Sequence, residues 1–148
     1  MGIREEMPLL ARHDGEWEGT YTFIGRDGTV IDHHRSHLSC RFPDDPEFPY
    51  HQVNRYTWDD GRTETIEFPA RYADGAIHFD TDRIRGRAWE IDDSTIVLNW
   101  VYKAQEGITL YEMINLSPDG NDRARTWHWF NDGKLFQRTI INEHRVGD

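Results

Sequence analysis

Half of the twelve glycines in this chain directly follow an aspartate, and this repeated pair constrains the fold more than any other feature. Asp-Gly is a strong signal for a β-hairpin, because a type I′ turn needs positive φ at both central residues. The six pairs are Asp14-Gly15, Asp27-Gly28, Asp60-Gly61, Asp74-Gly75, Asp119-Gly120 and Asp132-Gly133. The pairs therefore predict antiparallel strands joined by short turns along the whole chain.

The runs between these turns are rich in β-branched and aromatic residues with polar residues interleaved, which is typical of strands. The predicted strands are roughly 16–24, 29–41, 50–58, 62–68, 70–73, 76–80, 83–91, 95–102, 108–116 and 123–130, with a closing strand 134–145. Two of the short middle pieces are compatible with one interrupted strand. Segment 42–49 holds three prolines and is predicted to be a loop.

This pattern predicts an all-β fold, a single up-and-down antiparallel barrel of about ten strands, because closure removes the exposed strand edges. Residues 2–12 are the helical candidate and predict a short N-terminal helical turn. A helix-backed α+β cone of the nuclear-transport-factor type is disfavoured, since the sequence predicts no long helices. The length of 148 residues fits one domain, predicted to span residues 1–148.

The composition narrows the functional classes. The 19 aromatic residues (6 Trp, 6 Tyr and 7 Phe) favour a folded core despite a mean hydropathy of −0.83. A net charge of −10 disfavours nucleic-acid and membrane-surface partners, because an acidic chain repels phosphates. One cysteine, Cys40, excludes an internal disulfide and is predicted to be a small core residue. Without an apolar span or a signal-peptide pattern, we expect a soluble cytoplasmic protein.

Register across a two-residue turn predicts which side chains share a face of the sheet. With Asp27-Gly28 as the turn, Thr22 lies opposite His33 on a polar face that we expect to meet solvent. The other face is predicted to line the interior and comprises Trp17, Gly19, Tyr21, Phe23, His34, Ser36, Leu38 and Cys40.

For the hairpin at Asp60-Gly61, the sequence does not decide which of the two faces lies inside the barrel. We favour the set with the tyrosines and the tryptophan inside: Tyr50, Gln52, Asn54, Tyr56, Trp58, Thr63, Thr65 and Glu67. The alternative interior set is His51, Val53, Arg55, Thr57, Glu64, Ile66 and Phe68.

For the two strands that flank Asp92-Asp93, the sequence again allows two assignments of the inner and outer faces. A turn at this pair places Asn99 on one face with Ile84, Gly86, Ala88, Val97 and Val101, and we assign Asn99 to the interior. The other face carries arginines together with an apolar stripe of Trp89, Ile96, Leu98 and Trp100. Either arginine stems cover these rings by cation–π contact, or the stripe is a homodimer contact.

The Asp132-Gly133 turn places two arginines, Arg125 and Arg138, inside with Trp127 and Trp129. The opposite face is predicted to be solvated and carries Thr126, His128, Gln137, Thr139 and Glu143. A buried guanidinium needs a partner. Two interpretations stay open for the arginines: a structural ion pair with an internal acid such as Glu67 or Glu112, or a clamp for an anionic ligand.

Gly15-Glu16-Trp17 resembles the start of the calycin barrels, which include lipocalins and fatty-acid-binding proteins. In that family the tryptophan plugs one end of the barrel under an arginine of the last strand, and the resemblance implies Arg145 or Arg138 for that part. Gly15–Gly19, Tyr56–Arg62 and His144–Val146 are similar to segments of nitrobindin-like barrels, the nearest in layout.

The resemblance implies two kinds of ligand. Nitrobindin-like barrels hold haem iron through a histidine eight residues before the closing valine, a position that Arg138 occupies here, and arginine does not ligate iron. Fatty-acid-binding proteins hold a carboxylate with arginines and a tyrosine. Arg138 fits that pattern, while Ile140 stands where the tyrosine is expected. We therefore predict no cofactor and keep haem as a weaker third alternative.

A metal site is not predicted from the histidines. His33 and His37 share one face of a strand while His34 points to the other, so the three imidazoles cannot converge. His34 alone is predicted inside, either as a satisfied core histidine or as a polar handle or base. The sequence lacks the motifs of phosphate loops, dinucleotide sites, serine elbows and zinc proteases.

The predicted interior mixes aromatic and polar side chains, which is the usual composition of a small-molecule site. We predict that a small aromatic or amphipathic, anionic ligand binds inside the barrel. The predicted ligand-binding residues are Tyr21, His34, Gln52, Asn54, Tyr56, Trp58, Asn99, Arg125, Trp127 and Arg138. The alternative is a cofactor-independent lyase, isomerase or cyclase in the same cavity, with His34 and Tyr56 as catalytic residues.

Overall fold

The computed structural model describes residues 2–147 and shows a closed antiparallel barrel of ten strands. The helices are α1 (Ile3–Glu6) and α2 (Pro8–Ala11), each about one turn long. The strands are β1 (Gly15–Gly25), β2 (Val30–Arg41), β3 (Tyr50–Thr57), β4 (Thr63–Ala73), β5 (Ala76–Asp80), β6 (Ile84–Glu90), β7 (Thr95–Tyr102), β8 (Ile108–Leu116), β9 (Asp122–Asn131) and β10 (Lys134–Val146).

Each strand pairs with the next one along the chain, and β1 closes the barrel by pairing with β10. The predicted up-and-down all-β barrel is confirmed, and closure pairs both edges of every strand. The predicted pieces 62–68 and 70–73 form one strand, β4, which carries Pro69. Within residues 2–147, no helix is long and apolar enough to cross a membrane.

One end of the barrel is closed by Trp17, which is fully buried between two arginines. The guanidinium carbon of Arg145 lies 4.4 Å from the indole centroid, and that of Arg123 lies 4.5 Å away. Arg145 also donates to the backbone oxygens of Asp14, Arg12 and Gly120 at 2.6, 2.7 and 3.0 Å. The structure thus selects Arg145, rather than Arg138, as the arginine over the tryptophan.

The two helices cover this closed end. Their apolar side chains Met7, Leu9 and Leu10 are buried against the barrel. The backbone N–H of Leu10 donates to the carboxylate of Glu90 at 2.7 Å, which ties α2 to the end of β6. The opposite end, where β1 turns into β2 and β3 into β4, is therefore the end at which the interior can open.

Gly86 allows strands β6 and β7 to approach beside the large indole of Trp100. A Cβ on Gly86 would lie 2.2 Å from the carbonyl oxygen of Asn99 and 2.3 Å from Cβ of Trp100. These atoms cannot rotate away, so any larger residue would force the strands apart. The glycine thereby fixes where Trp100 enters the interior.

The facing predicted for the first hairpin is confirmed. Thr22 pairs with His33 on the outer face, and Tyr21 pairs with His34 inside. The turn places Gly25 opposite Thr29 and Ile24 opposite Val30, one residue away from the predicted register. The bulge after Phe23 then shifts the register by one residue and restores the predicted pairs. Of the predicted interior set, six are buried: Trp17, Tyr21, His34, Ser36, Leu38 and Cys40.

On β3 the favoured interior set is correct, but on β4 it is wrong. Thr57 pairs with Thr63 across a five-residue loop, so Tyr56 pairs with Glu64 instead of with a threonine. The inward residues of β4 are consequently Glu64, Ile66, Phe68 and Ala70.

The predicted interior position of Arg138 is wrong. A bulge between Leu135 and Gln137 shifts the register of β10, so Trp129 pairs with Gln137. Arg138 then pairs with the exposed His128 on the outer face. A shift of one residue reverses the facing of every later side chain. Two residues predicted to be solvated, Thr139 and Glu143, are therefore buried.

The predicted interior position of Asn99 is also wrong. Glu90 pairs with Ile96, one residue away from the register that a turn at Asp92-Asp93 predicts. Asn99 pairs with Arg87 and with the exposed Tyr111, which places it on the outer face. Three of the four residues of the predicted dimer stripe are instead buried inside the barrel: Ile96, Leu98 and Trp100. Its remaining member, Trp89, lies outside under the guanidinium of Arg87, 4.5 Å from the ring centroid.

We predict that Arg145→Lys lowers the free energy of unfolding by about 2–3 kcal/mol, because an ammonium cannot stack flat on Trp17 and reach three carbonyls. Urea denaturation measures this loss. The control is Arg35→Lys, since Arg35 forms an exposed pair with Asp59 that we expect to contribute less than about 1 kcal/mol. Equal losses in the two variants would contradict the role of Arg145.

Candidate functional site

A cavity of about 180 Å³, here called the main cavity, lies at the end of the barrel opposite the helices. Its wall includes nine aromatic side chains: Tyr21, Phe23, Tyr56, Trp58, Phe68, Trp100, Tyr102, Trp127 and Trp129. Its charged or ionisable wall residues are Asp32, His34, Glu64 and Arg83. An enclosed aromatic wall with a few polar groups is the usual composition of a small-molecule site.

His34 is a buried ionisable group of this wall, and a carboxylate fixes its orientation. Its Nδ1 lies 2.9 Å from a carboxylate oxygen of Asp32, two residues earlier on the same face of β2. Asp32 also accepts from the indole N–H of Trp58, at 3.0 and 3.2 Å to its two oxygens. The three side chains therefore form a chain in which the carboxylate holds both rings.

Aromatic rings surround the imidazole of His34. Tyr21 stacks on it with centroids 5.3 Å apart, Trp58 covers it at 4.3 Å, and Tyr56 presents an edge at 5.1 Å. Burial lowers the pKa of His34, and the nearby Asp32 carboxylate opposes this shift without reversing it. The imidazole is therefore neutral at neutral pH.

A ladder of polar side chains runs along the inner face of β3. Tyr50 donates to Gln52 at 2.8 Å, Gln52 to Asn54 at 2.9 Å, and Asn54 to the hydroxyl oxygen of Tyr56 at 2.8 Å. Residues two apart on a strand share a face, so the sequence spacing builds this ladder directly. Burial raises the pKa of Tyr56, which keeps its hydroxyl protonated at the cavity wall.

A buried network of four charges lies between the main cavity and the closed end. Arg125 Nε donates to Glu112 at 2.6 Å, and Arg123 Nε donates to Glu143 at 2.6 Å. Arg125 Nη1 also bridges to Glu143 at 3.3 Å and donates to the Tyr21 hydroxyl at 2.9 Å. Two arginines and two glutamates cancel in charge, so this network offers a ligand no unpaired cation.

The pKa shifts agree with this pairing. Burial by itself would raise the pKa of Glu143, but Arg123 and Arg125 outweigh it and hold that pKa below its ordinary value. Burial by itself would lower the pKa of Arg125, but Glu112 and the other partners raise it well above its ordinary value. Of the two interpretations of Arg125, the structure therefore supports the ion pair with Glu112.

A second, inner cavity of about 30 Å³ lies beside this network and is lined by Tyr50, Gln52, Arg123, Arg125 and His13. His13 is buried, and its Nδ1 lies 3.0 Å from Arg123 Nη1. Its Nε2 has no hydrogen-bond partner within residues 2–147. Space for about one water remains there, which suits a bridging water rather than an organic ligand.

The structure brings six of the ten predicted ligand-binding residues together on the main cavity wall: Tyr21, His34, Asn54, Tyr56, Trp58 and Trp127. Gln52 and Arg125 line the inner cavity instead, and Asn99 and Arg138 lie outside. Sequence reasoning missed Asp32, although its position two residues before His34 was a usable signal. Trp100 and Tyr102 were missed because the register of the β6–β7 hairpin was wrong.

Haem does not fit this barrel. The position at which nitrobindin-like barrels carry their iron ligand is Arg138, which lies on the outer face and has no ligating atom. A volume of about 180 Å³ is also below the roughly 300–1,000 Å³ of sites for drug-sized molecules, and a macrocycle needs at least such a site. Among residues 2–147, no group of three His, Cys, Asp or Glu side chains is arranged to hold a metal ion.

The closed barrel, its Trp17 plug and Arg145 define a calycin-like β-barrel, which confirms the resemblance found in the sequence. The chain belongs to the DUF3598 family, because residues 5–148 match the domain described as "Domain of unknown function (DUF3598), N-terminal". No protein of curated function matches its sequence.

Solved structures with this fold include a protein of unknown function from the DUF3598 family of Nostoc punctiforme, with 21% identity and a TM-score of 0.71. That match covers 93% of this chain and 49% of the other, so the chain spans about half the length of that relative. The S-type phycobiliprotein lyase CPES from Guillardia theta has 16% identity and a TM-score of 0.75, covering 100% and 94% of the two chains. Rv2717c from M. tuberculosis has 13% identity and a TM-score of 0.66, covering 96% and 98%.

We predict that the pair of Arg125 and Glu112 is strongly coupled. Glu112→Leu and Arg125→Met should each lower the free energy of unfolding by about 3–5 kcal/mol, because each leaves a buried charge uncompensated. The double variant should lose much less than the sum in a urea-denaturation cycle. The exposed pair of Arg71 and Glu47 is the control and should show coupling below about 1 kcal/mol. Additive losses at Arg125 and Glu112 would contradict the ion-pair assignment.

We also predict that acidification destabilises the fold through His13. Burial, with Arg123 and Arg125, lowers the pKa of His13 well below 6.5, so the unfolded chain binds the proton more tightly. The free energy of unfolding should therefore fall as the pH drops below 6.5, by up to about 1.4 kcal/mol per pH unit for this one proton. His13→Gln should flatten the slope measured by denaturation between pH 7.5 and 5.5. His128→Gln, at an exposed site, should leave it unchanged.

Proposed function

We propose that this protein binds a small, uncharged aromatic molecule in the main cavity. The observation that carries the proposal is the wall itself, in which nine aromatic rings enclose about 180 Å³ while every buried arginine beside it is paired with a carboxylate. Aromatic walls bind planar ligands through offset stacking and edge contacts. A cavity of this size suits a one- or two-ring compound.

The charge of the ligand follows from the charges at the wall. The predicted anionic ligand depended on Arg125 and Arg138, but Arg125 is neutralised by Glu112 and Arg138 lies outside. The wall carries Asp32, Glu64 and Arg83, and the guanidinium of Arg62 lies 4.3 Å from the ring centroid of Trp58, so acidic and basic groups balance there. An anion would therefore gain little net attraction at the mouth, and within residues 2–147 the buried arginines beside the cavity are already paired with carboxylates.

The comparisons support a functional cavity through the shared fold. The similar barrel from Guillardia theta is named a phycobiliprotein lyase. That name supports the view that a barrel of this shape can carry a functional site, and the ligand class proposed here depends on the cavity of this chain. The cytoplasmic location and the lack of nucleic-acid and membrane partners remain predictions from composition.

A second candidate function is the enzyme alternative, in which His34 acts as a base and Tyr56 as an acid. The pairing of His34 with Asp32 favours it, because a carboxylate that orients an imidazole is the usual arrangement of a general base. An enzyme of this kind would release a changed molecule, whereas a binding protein releases its ligand unchanged.

The test is isothermal titration calorimetry at pH 7.5 with 2-naphthol as the uncharged probe and 2-naphthoate as the anionic one. We expect 2-naphthol to bind with a Kd of about 10–100 μM and 2-naphthoate at least about tenfold more weakly. Ile66→Trp, which fills the cavity from its wall, should abolish binding. Val101→Trp, on the outer face of β7, is the matched control and should bind normally. Equal binding by Ile66→Trp and Val101→Trp, or tighter binding of the anion, would overturn the proposal.

A further inference from the structure

His34 has one ring nitrogen committed to the protein and one that is not. Its hydrogen bonds within residues 2–147 involve Nδ1 alone, which lies 2.9 Å from Asp32. A carboxylate can only accept, so Nδ1 carries the proton of the neutral imidazole. The tautomer is therefore fixed, and Nε2 keeps its lone pair as a hydrogen-bond acceptor.

The neighbours of His34 do not satisfy this acceptor. The indole N–H of Trp58 is committed to Asp32, and the Tyr21 hydroxyl lies at the guanidinium of Arg125. Tyr21 and Trp58 cover the ring by their faces, and Tyr56 meets it at an angle of 83°. The side chain of His34 is only 4% exposed, yet Nε2 is not one of the fully buried atoms without a partner, so the surface that it keeps is accessible to a molecule in the main cavity.

An acceptor in a nearly enclosed site that meets no donor is costly, and proteins normally satisfy such groups with a partner or an ordered water. Here the unsatisfied acceptor belongs to a residue that lines the main cavity. A molecule in the cavity that brings an O–H or N–H to Nε2 therefore removes this cost. A purely apolar molecule of the same shape displaces any water there and leaves the cost in place.

We propose that His34 Nε2 accepts a hydrogen bond from the ligand, so that the site selects aromatic compounds with a ring-borne O–H or N–H, such as phenols and N–H heterocycles. This inference depends on the proposed function, since it names the class of ligand for the same cavity. Asp32 is a positioning residue that fixes the tautomer and does not contact the ligand in this role. His34 thus adds one hydrogen bond to the selection of the ligand by shape.

The experiment compares two probes of equal size, 2-naphthol and 2-methylnaphthalene, on the wild-type chain and on His34→Phe by calorimetry. His34→Phe keeps a ring of similar shape and removes the acceptor. It should weaken 2-naphthol by about five- to tenfold, the usual contribution of one neutral hydrogen bond, and change 2-methylnaphthalene by less than about twofold. His33→Phe, one residue away on the outer face, is the matched control and should affect neither probe.

A measurement on the wild-type chain keeps the inference testable if His34→Phe does not fold. In a long-range ¹H–¹⁵N correlation spectrum of the histidine rings, the Nε2 resonance of His34 should move upfield on addition of 2-naphthol and stay in place with 2-methylnaphthalene. Asp32→Asn should reduce the preference for 2-naphthol, because the amide no longer fixes the tautomer.

The outcomes separate the two proposals. If 2-naphthol binds and His34→Phe weakens both probes equally, or the Nε2 resonance does not respond, the role of His34 is overturned while the proposed function stands. If neither probe binds the wild-type chain, both proposals are overturned. Selective loss of 2-naphthol in His34→Phe supports both.

Discussion

The paired network of Arg123, Arg125, Glu112 and Glu143 is the interaction on which the interior of this barrel depends. Four charges lie where bulk water does not reach, and they persist because each guanidinium meets a carboxylate at 2.6 Å. The network divides the interior, with Trp17 and the helices on one side and the main cavity on the other. Since its charges cancel, it supports the cavity without giving it a positive potential.

The main cavity follows from this division. Towards the closed end, the interior is filled by the ion pairs and by the polar ladder of β3. Towards the open end, the inward positions carry aromatic side chains that leave a space between them. His34 differs from these rings because its Nε2 offers an acceptor, whereas the indole N–H groups of Trp100 and Trp127 are buried donors without a partner among residues 2–147. Shape therefore selects a planar ligand, and one atom adds chemical selectivity.

Much of the fold was predictable because its signals are local. The Asp-Gly pairs and the alternating runs predicted the strands and the closed barrel, and three prolines predicted the loop at 42–49. The predicted facing of Tyr21 and His34 was correct because the bulge after Phe23 restores the register of a two-residue turn. The wrong assignments of Arg138, Asn99 and the inner face of β4 come from hairpins with a bulge or with a shifted register. The sequence does not show where a bulge will form. A single extra residue in one strand reverses which of its side chains face the interior and which face solvent.

The sequence by itself determined that this chain forms strands, closes them into a barrel and places aromatic and polar residues on common faces, because turns and alternation act over a few residues. Only the tertiary structure decided which partners meet across the barrel. Tyr21 and Arg125 are 104 residues apart in sequence, and Arg125 reaches both Glu112 and Glu143 only after β1 has closed on β10. In the sequence Arg125 looks available for a ligand. In the closed barrel its charge is neutralised by Glu112 and Glu143, because a buried guanidinium needs carboxylate partners.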